Sequence, residues 1–210
     1  MYKKLLSISL LFLTLTSCMQ VAQQVNNWAE PIEGSEIYGD YFQLDDDAIK
    51  IFLPDSFVKY SAVEYQQMLD SMLTKEAYEF ETRRLRHLRE MEGNHYLFFD
   101  KGNGATYSIN TMPFTPIIKR DAQQLLGLIR LNYEQTTTGS DLEFNKITAK
   151  YSSNAGTQIF KAVYRVDNKE TQITAYSASY ILSGNKKTVM INLTTPFEVD
   201  FDPYLQKMIL

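Results

Sequence analysis

Three consecutive segments near the end of the chain, Glu143–Tyr151, Gln158–Val166 and Gln172–Leu182, alternate apolar and polar residues with a period of two. That period belongs to β-strands with one face buried and one face wet. Turn residues separate them, Asn154-Ala155-Gly156 and Asp167-Asn168, and Ser183-Gly184-Asn185 leads into a fourth segment, Thr188–Leu193. Strands joined by such short connections pair with their sequence neighbours, so the spacing predicts an antiparallel meander. Any fold for this chain must place that sheet first and pack the rest against it.

The preceding part of the chain mixes both periods. Ala48–Leu53 reads as a strand stopped by Pro54-Asp55. From Ala62 the apolar residues Tyr65, Met68, Leu69, Met72, Leu73 and Phe80 recur at helical spacing, with Ser61 as N-cap and Glu64 completing a capping box. Gly93 ends that helical reach. His95–Phe99 and Ala105–Asn110 form a hairpin around Asp100-Lys101-Gly102-Asn103-Gly104, whose two glycines are expected to supply positive-φ positions. Pro113 and Pro116 bracket a loop, and Ala122–Tyr133 restores a helical stripe through Leu125, Leu126, Ile129 and Tyr133 before the breaker run Thr136–Ser140. At the end, Asp202 caps a short helix with Pro203 in its first position, and Tyr204, Leu205, Met208 and Ile209 pin it to the sheet. The fold class expected is α+β, a twisted antiparallel sheet with helices packed on it.

At the other end stands Cys18, the only cysteine among 210 residues. It follows Leu15-Thr16-Ser17 and an apolar run from Leu5 to Leu15 that opens with Lys3 and Lys4. About 11 apolar residues suit a signal-peptide core and fall short of the roughly 20 that cross a bilayer. The arrangement resembles the lipobox of bacterial lipoproteins. That resemblance implies a signal peptide over residues 1–17, a mature chain beginning at a lipid-bearing Cys18, and permanent attachment to a membrane through several acyl chains. Met19 in place of Asp favours the outer membrane by the same resemblance, and the missing acidic or Lys-led run after Cys18 favours a periplasm-facing domain. An exported protein with no second thiol must stand on core packing without disulfides.

Removing residues 1–17 takes away two lysines, so 19 basic residues remain against 25 acidic ones and the mature net charge is −6. Such a chain is a poor binder of nucleic acid. Residues 18–40, rich in Gln and Asn and carrying the sole tryptophan Trp28, read as a tether, and residues 41–210 as a single domain. Trp28 either reaches a lipid interface or folds back onto the domain.

The order of a strand ending in Leu53-Pro54, a long helix, paired strands, a second helix, a meander and a closing Lys187–Ile209 segment resembles the PsbP and DcrB type of α/β/α sandwich. The resemblance implies an accessory or binding protein and names no partner. Among candidate sites, Arg83, Arg84, Arg86 and Arg89 form the strongest charge feature. They read as a partner-contact surface or as a solvated face, with Glu79–Arg83 and Arg86–Glu90 as helical pairs. His87 and His95 with Glu90 lack a third converging ligand, so no metal site is expected. Asp45-Asp46-Asp47 lacks the alternation of a calcium loop and reads as a solvated turn before the first strand. Gly102-Asn103-Gly104 lacks the rest of a dinucleotide fingerprint, no cofactor is expected, and Asn192-Leu193-Thr194 matches a glycosylation sequon inside a strand. The expectation is a membrane-anchored, non-enzymatic accessory protein that binds another envelope protein. The alternatives are a small-molecule carrier with a pocket between helix and sheet, and an envelope hydrolase whose catalytic pair is joined only in space.

Overall fold

The computed structural model describes residues 37–72, 81, 82, 85, 86, 90–154 and 156–210. A seven-stranded, wholly antiparallel sheet forms its centre. The strands are β3 (Phe57–Tyr60), β4 (His95–Asp100), β5 (Thr106–Met112), β6 (Leu142–Asn154), β7 (Thr157–Asn168), β8 (Thr174–Gly184) and β9 (Lys187–Thr195), in spatial order β3-β4-β5-β9-β8-β7-β6. The meander β6 to β9 forms as the alternation requires. It joins the β3–β5 meander edge to edge through the β5–β9 pair, which makes β9 the central strand.

Two strands escaped the sequence reading, β3 and β1 (Asp40–Leu44), and β1 pairs with β2 (Ile49–Leu53) as a separate hairpin. The Pro54-Asp55 breaker does end β2. It does so by a tight turn, Phe57 N–H to Pro54 C=O at 3.0 Å, that feeds the chain into the four-residue β3. The β1–β2 hairpin and the short helix α3 (Asp202–Gln206) cover one face of the sheet. Phe98, Tyr107, Tyr180, Ile191 and Leu193 point into that layer, where Phe201 and Tyr204 stack at 4.7 Å between ring centres.

On the opposite face lie α1 (Ala62–Met72) and α2 (Ala122–Thr137). Tyr65 and Leu69 of α1, with Leu85, pack on Leu97 and Phe99 of β4. Ile129 of α2 packs on Phe160, Ala162, Tyr164 and Ile181, flanked by Leu125, Leu126 and Tyr133. Alternate residues of each strand therefore serve different layers. The helical stripe residues Leu73 and Phe80 lie outside the described residues.

The N-terminal cap of α1 is the expected one: Glu64 N–H donates to Ser61 Oγ at 3.2 Å and Ser61 N–H donates to the Glu64 carboxylate at 2.8 Å. Hydrogen bonding of the Ser61 hydroxyl and then of the Ser61 backbone N–H to the carboxylate holds the Glu64 pKa below the ordinary carboxylate range. A depressed carboxylate contributes above its unfolded pKa of about 4.3, and its contribution fades as pH falls through the folded value. Ser61→Ala should cost about 1 kcal/mol. It should also raise the Glu64 titration part of the way toward the ordinary value, the backbone N–H at position 61 still donating to the carboxylate, which carboxyl-detected NMR would read.

At the far end, α2 runs through Thr136 and Thr137 despite their low propensity. The Thr137 and Thr138 hydroxyls bond back to the carbonyls of Tyr133 and Glu134, each at 2.8 Å, and so satisfy the last turn. In the Asp100–Gly104 turn only Gly104 has positive φ (+78°). Asp100 does the remaining work, accepting from Gly102 N–H (2.7 Å), Asn103 Nδ2 (2.8 Å) and Ser56 Oγ (2.8 Å).

The closing helix corrects the sequence reading. Phe201 is the N-cap, and Asp202 is already helical, with Pro203 behind it. The Asp202 carboxylate is engaged instead by Lys161 Nζ at 2.8 Å, as is that of Asp200 at 3.1 Å. Burial opposes the Lys161 charge, and the two carboxylates outweigh it, holding the ammonium above the ordinary lysine range. Nor do Met208 and Ile209 belong to the helix, which ends at Gln206. The Ile209 side chain is exposed, and its backbone pairs with Lys50 through two hydrogen bonds of 2.8 and 2.9 Å.

Candidate functional site

The central strand has an unusual exposure pattern. On the helix-bearing face, Met190, Asn192 and Thr194 of β9 are all partly exposed, while Val189, Ile191 and Leu193 of the other face are buried. The two helices stand over the strands on either side, α1 over β4 and α2 over β7 and β8. Between them β9 forms the floor of a groove.

Sheet register sets sequence-distant residues beside this strip, and of those on the flanking strands only Thr106 is partly exposed, the others being buried. Asn192 pairs with Ser108 of β5 on one side and with Ser179 of β8 on the other, while Thr194 pairs with Thr106 and with Ser177. Met190 pairs with Asn110 and with Ile181. Seven of these nine side chains are neutral alcohols or amides, and none carries a charge. A row of this kind across the middle of a sheet is costly unless it is hydrogen-bonded.

Part of the row is satisfied internally. Tyr133 of α2 bonds through its hydroxyl to Ser177 Oγ (2.9 Å) and Ser179 Oγ (3.1 Å), and Ser179 Oγ donates to Asn192 Oδ1 at 2.8 Å. Asn110 donates through Nδ2 to the backbone carbonyls of Glu92 (3.4 Å) and Asn94 (3.3 Å), where the chain descends into β4. At one end of the groove the Pro113–Ile117 loop is fastened across the sheet. Thr188 Oγ1 accepts from Thr115 N–H at 2.8 Å, and Ser183 Oγ donates to Thr115 C=O at 2.9 Å.

Ser108 Oγ donates to the Asn192 backbone carbonyl at 3.5 Å, and the remaining capacity of the row is unspent. Asn110 Oδ1 is buried with no hydrogen-bond partner. No hydrogen bond among the described residues engages Asn192 Nδ2 or the hydroxyls of Thr194 and Thr106. Tyr133→Phe should leave Ser177 without its bond and cost about 1–2 kcal/mol by chemical denaturation, with the fold retained.

Sequence reasoning pointed elsewhere. Arg86 is exposed next to the buried Leu85, as a solvent-facing arginine beside a core leucine should be. No ion pair joins Arg86 to Glu90. Arg83, Arg84, Arg89 and His87 lie outside the described residues, as do Cys18 and Trp28. His95 begins β4 in register with Asn110. The three aspartates form a 3-10 turn between β1 and β2, and Asp47 is a structural pin, accepting from Tyr96 Oη at 2.6 Å and Asn94 Nδ2 at 3.2 Å. Among the described residues no three His, Cys, Asp or Glu side chains gather as metal ligands, and no helix is long and apolar enough to cross a membrane.

No protein-family model matches the chain, and no curated protein matches it in sequence. Solved structures do match in shape. The solution structure of cyanobacterial PsbP (CyanoP) from Synechocystis sp. PCC 6803 superposes with a TM-score of 0.53 at 13% identity, covering 86% of this chain and 98% of that one. The Saccharomyces cerevisiae Ran-binding protein Mog1p aligns with a TM-score of 0.47 at 10% identity, over 82% of this chain and 95% of that one. The fold is PsbP-like, as the element order led us to expect.

Proposed function

We propose that this PsbP-like domain is a non-enzymatic accessory or binding protein, held at the cell envelope by a lipid on Cys18. The observation that carries the binding reading is the neutral groove over β9. Alcohols and amides hydrogen-bond well, and they do not exchange protons near neutral pH, so the floor suits recognition rather than acid–base chemistry. The PsbP likeness supports the same reading by analogy of fold. A groove lying between the helices and the sheet also favours a carrier role over a hydrolase.

In this reading residues 1–17 are removed as a signal peptide, residues 18–40 tether the domain, and the domain faces the periplasm from the outer membrane. Arg83, Arg84, Arg86 and Arg89 form the contact surface for an envelope protein partner. The anchor is tested by feeding cells an alkyne-bearing fatty acid and tagging the extracted protein. Label on the wild-type chain and none on Cys18→Ser is the expected result. An unlabelled wild-type chain, or a Cys18→Ser form that still fractionates with membranes, would contradict the lipid anchor.

A further inference from the structure

We propose that the groove over β9 binds an uncharged, hydroxyl-rich ligand of the saccharide class, an inference that rests on the binding reading above. The first ground is unspent hydrogen-bonding capacity. Asn192 Nδ2 and the Thr194 and Thr106 hydroxyls stand in a partly exposed groove without partners among the described residues. On the neighbouring strand, in register with Met190, Asn110 Oδ1 is buried and unpaired while its Nδ2 is held by two backbone carbonyls, which fixes the amide's orientation. A buried acceptor left open in this way marks a place for a donor from outside the chain, directly or through water.

The second ground is charge. An ionic ligand would lose its hydration in the groove and meet no opposite charge on Ser108, Asn110, Asn192, Thr194 or Ser179, an unfavourable exchange. A sugar hydroxyl both donates and accepts, and so do side-chain amides and alcohols, so the two sets satisfy one another in either polarity.

Size is the third ground. Ser108 and Ser179, which flank Asn192, are buried, so the accessible strip runs along β9 from Met190 to Thr194, a length of about 13 Å, with Thr106 beside Thr194. One pyranose ring lying along the strand matches that length. Met190 offers an apolar surface at one end for the C–H face of a ring.

The test is a titration of the full-length, isotope-labelled protein in zwitterionic detergent micelles, followed by amide NMR. The probes are N,N′-diacetylchitobiose and maltose, with gluconate as a charged counterpart. The expected result is saturable shifts of the Asn192 and Asn110 side-chain amides with a neutral saccharide. Binding should be at least about tenfold weaker in Asn192→Leu, the loss of one well-made hydrogen bond. Thr194→Val, a change of shape-matched residues at a partly exposed site, should weaken it in the same direction and serves if Asn192→Leu does not fold. No saturable shift with either saccharide, equal affinity in the folded variants, or tighter binding of gluconate would overturn the proposal. If saccharides fail while a protein partner is still captured through the arginine surface, the ligand class falls and the binding reading stands.

Discussion

Gly93→Ala is expected to destabilise the domain by about 3 kcal/mol or more, while Gly127→Ala, the same chemical change, stabilises it. Gly93 has φ of +99°, and a Cβ placed there would overlap the carbonyl oxygen of Thr111. The left-handed backbone costs an L side chain roughly 1–3 kcal/mol, and pushing main chain off main chain costs a comparable amount. The close approach has a purpose. It lets Asn94 exchange bonds with Thr111, Thr111 N–H to Asn94 C=O at 2.9 Å and Asn94 N–H to Thr111 Oγ1 at 3.0 Å, and it brings Glu92 and Asn94 to Asn110 beside the groove. Gly127 lies on the exposed side of α2, and a Cβ there meets nothing within 4 Å. Ala in a helix interior is better than Gly by about 1 kcal/mol. Urea unfolding of both variants reads the two signs. Equal effects would show that the chain does not descend onto β5 at Gly93.

The second large effect is alkaline unfolding. Burial raises the pKa of Tyr107 and Tyr180, the latter helped by the nearby Asp202 and Asp200 carboxylates, and burial pushes Tyr204 up to about 12. Tyr96 is raised as well, by burial and then by its bond to Asp47. A tyrosine in the unfolded chain ionises near pH 10, so between that value and the raised one the unfolded state releases protons the folded state keeps. Stability therefore falls as pH rises past 10, by about 1.4 kcal/mol per pH unit for each fully buried tyrosine. Lys161, whose pKa is also raised, acts in the same direction, since its stabilisation is present below the unfolded lysine value and is lost above the folded one. Tyrosinate absorbance and far-ultraviolet circular dichroism should change together in one cooperative step, and Tyr107→Phe should move that step to higher pH. Smooth titration near pH 10 in a protein that keeps its dichroism would contradict this account of the core.

Much of this architecture is legible in the chain because local rules agree with the global result. The period-two pattern of β6 to β9 needs only a strand's own residues, and the Ser61–Glu64 box is a four-residue device. The misses have physical causes. β3 has four residues and lies directly behind a Pro-Asp turn, too short to show a period, and β1 begins where the sequence still reads as a polar tether. Asp202 resembles a cap in sequence, and its carboxylate is drawn away by Lys161, a residue 41 positions earlier. The groove was hidden for a different reason. Ser108, Asn192 and Ser179 become neighbours only through the β5–β9 and β8–β9 pairings, and strand order is not a local property. One trace stands in the sequence: Asn192 and Thr194 follow Met190 at two-residue steps and so put polar side chains on one face of β9, while Val189, Ile191 and Leu193 keep the other apolar.

The proposed partner meets the protein at the arginine surface. The most direct measurement is in-cell photo-crosslinking of the full-length protein with a photoreactive residue in place of Arg86, followed by recovery from membranes, with Cys18→Ser and Arg83/Arg84/Arg89→Ala forms of the same probe-bearing chain alongside. One dominant envelope protein should crosslink to the otherwise unchanged chain, be lost when the other three arginines are changed, and be diminished when the lipid-bearing cysteine is removed. No defined partner on the otherwise unchanged chain, or a partner captured equally well without the three arginines, would overturn the docking surface.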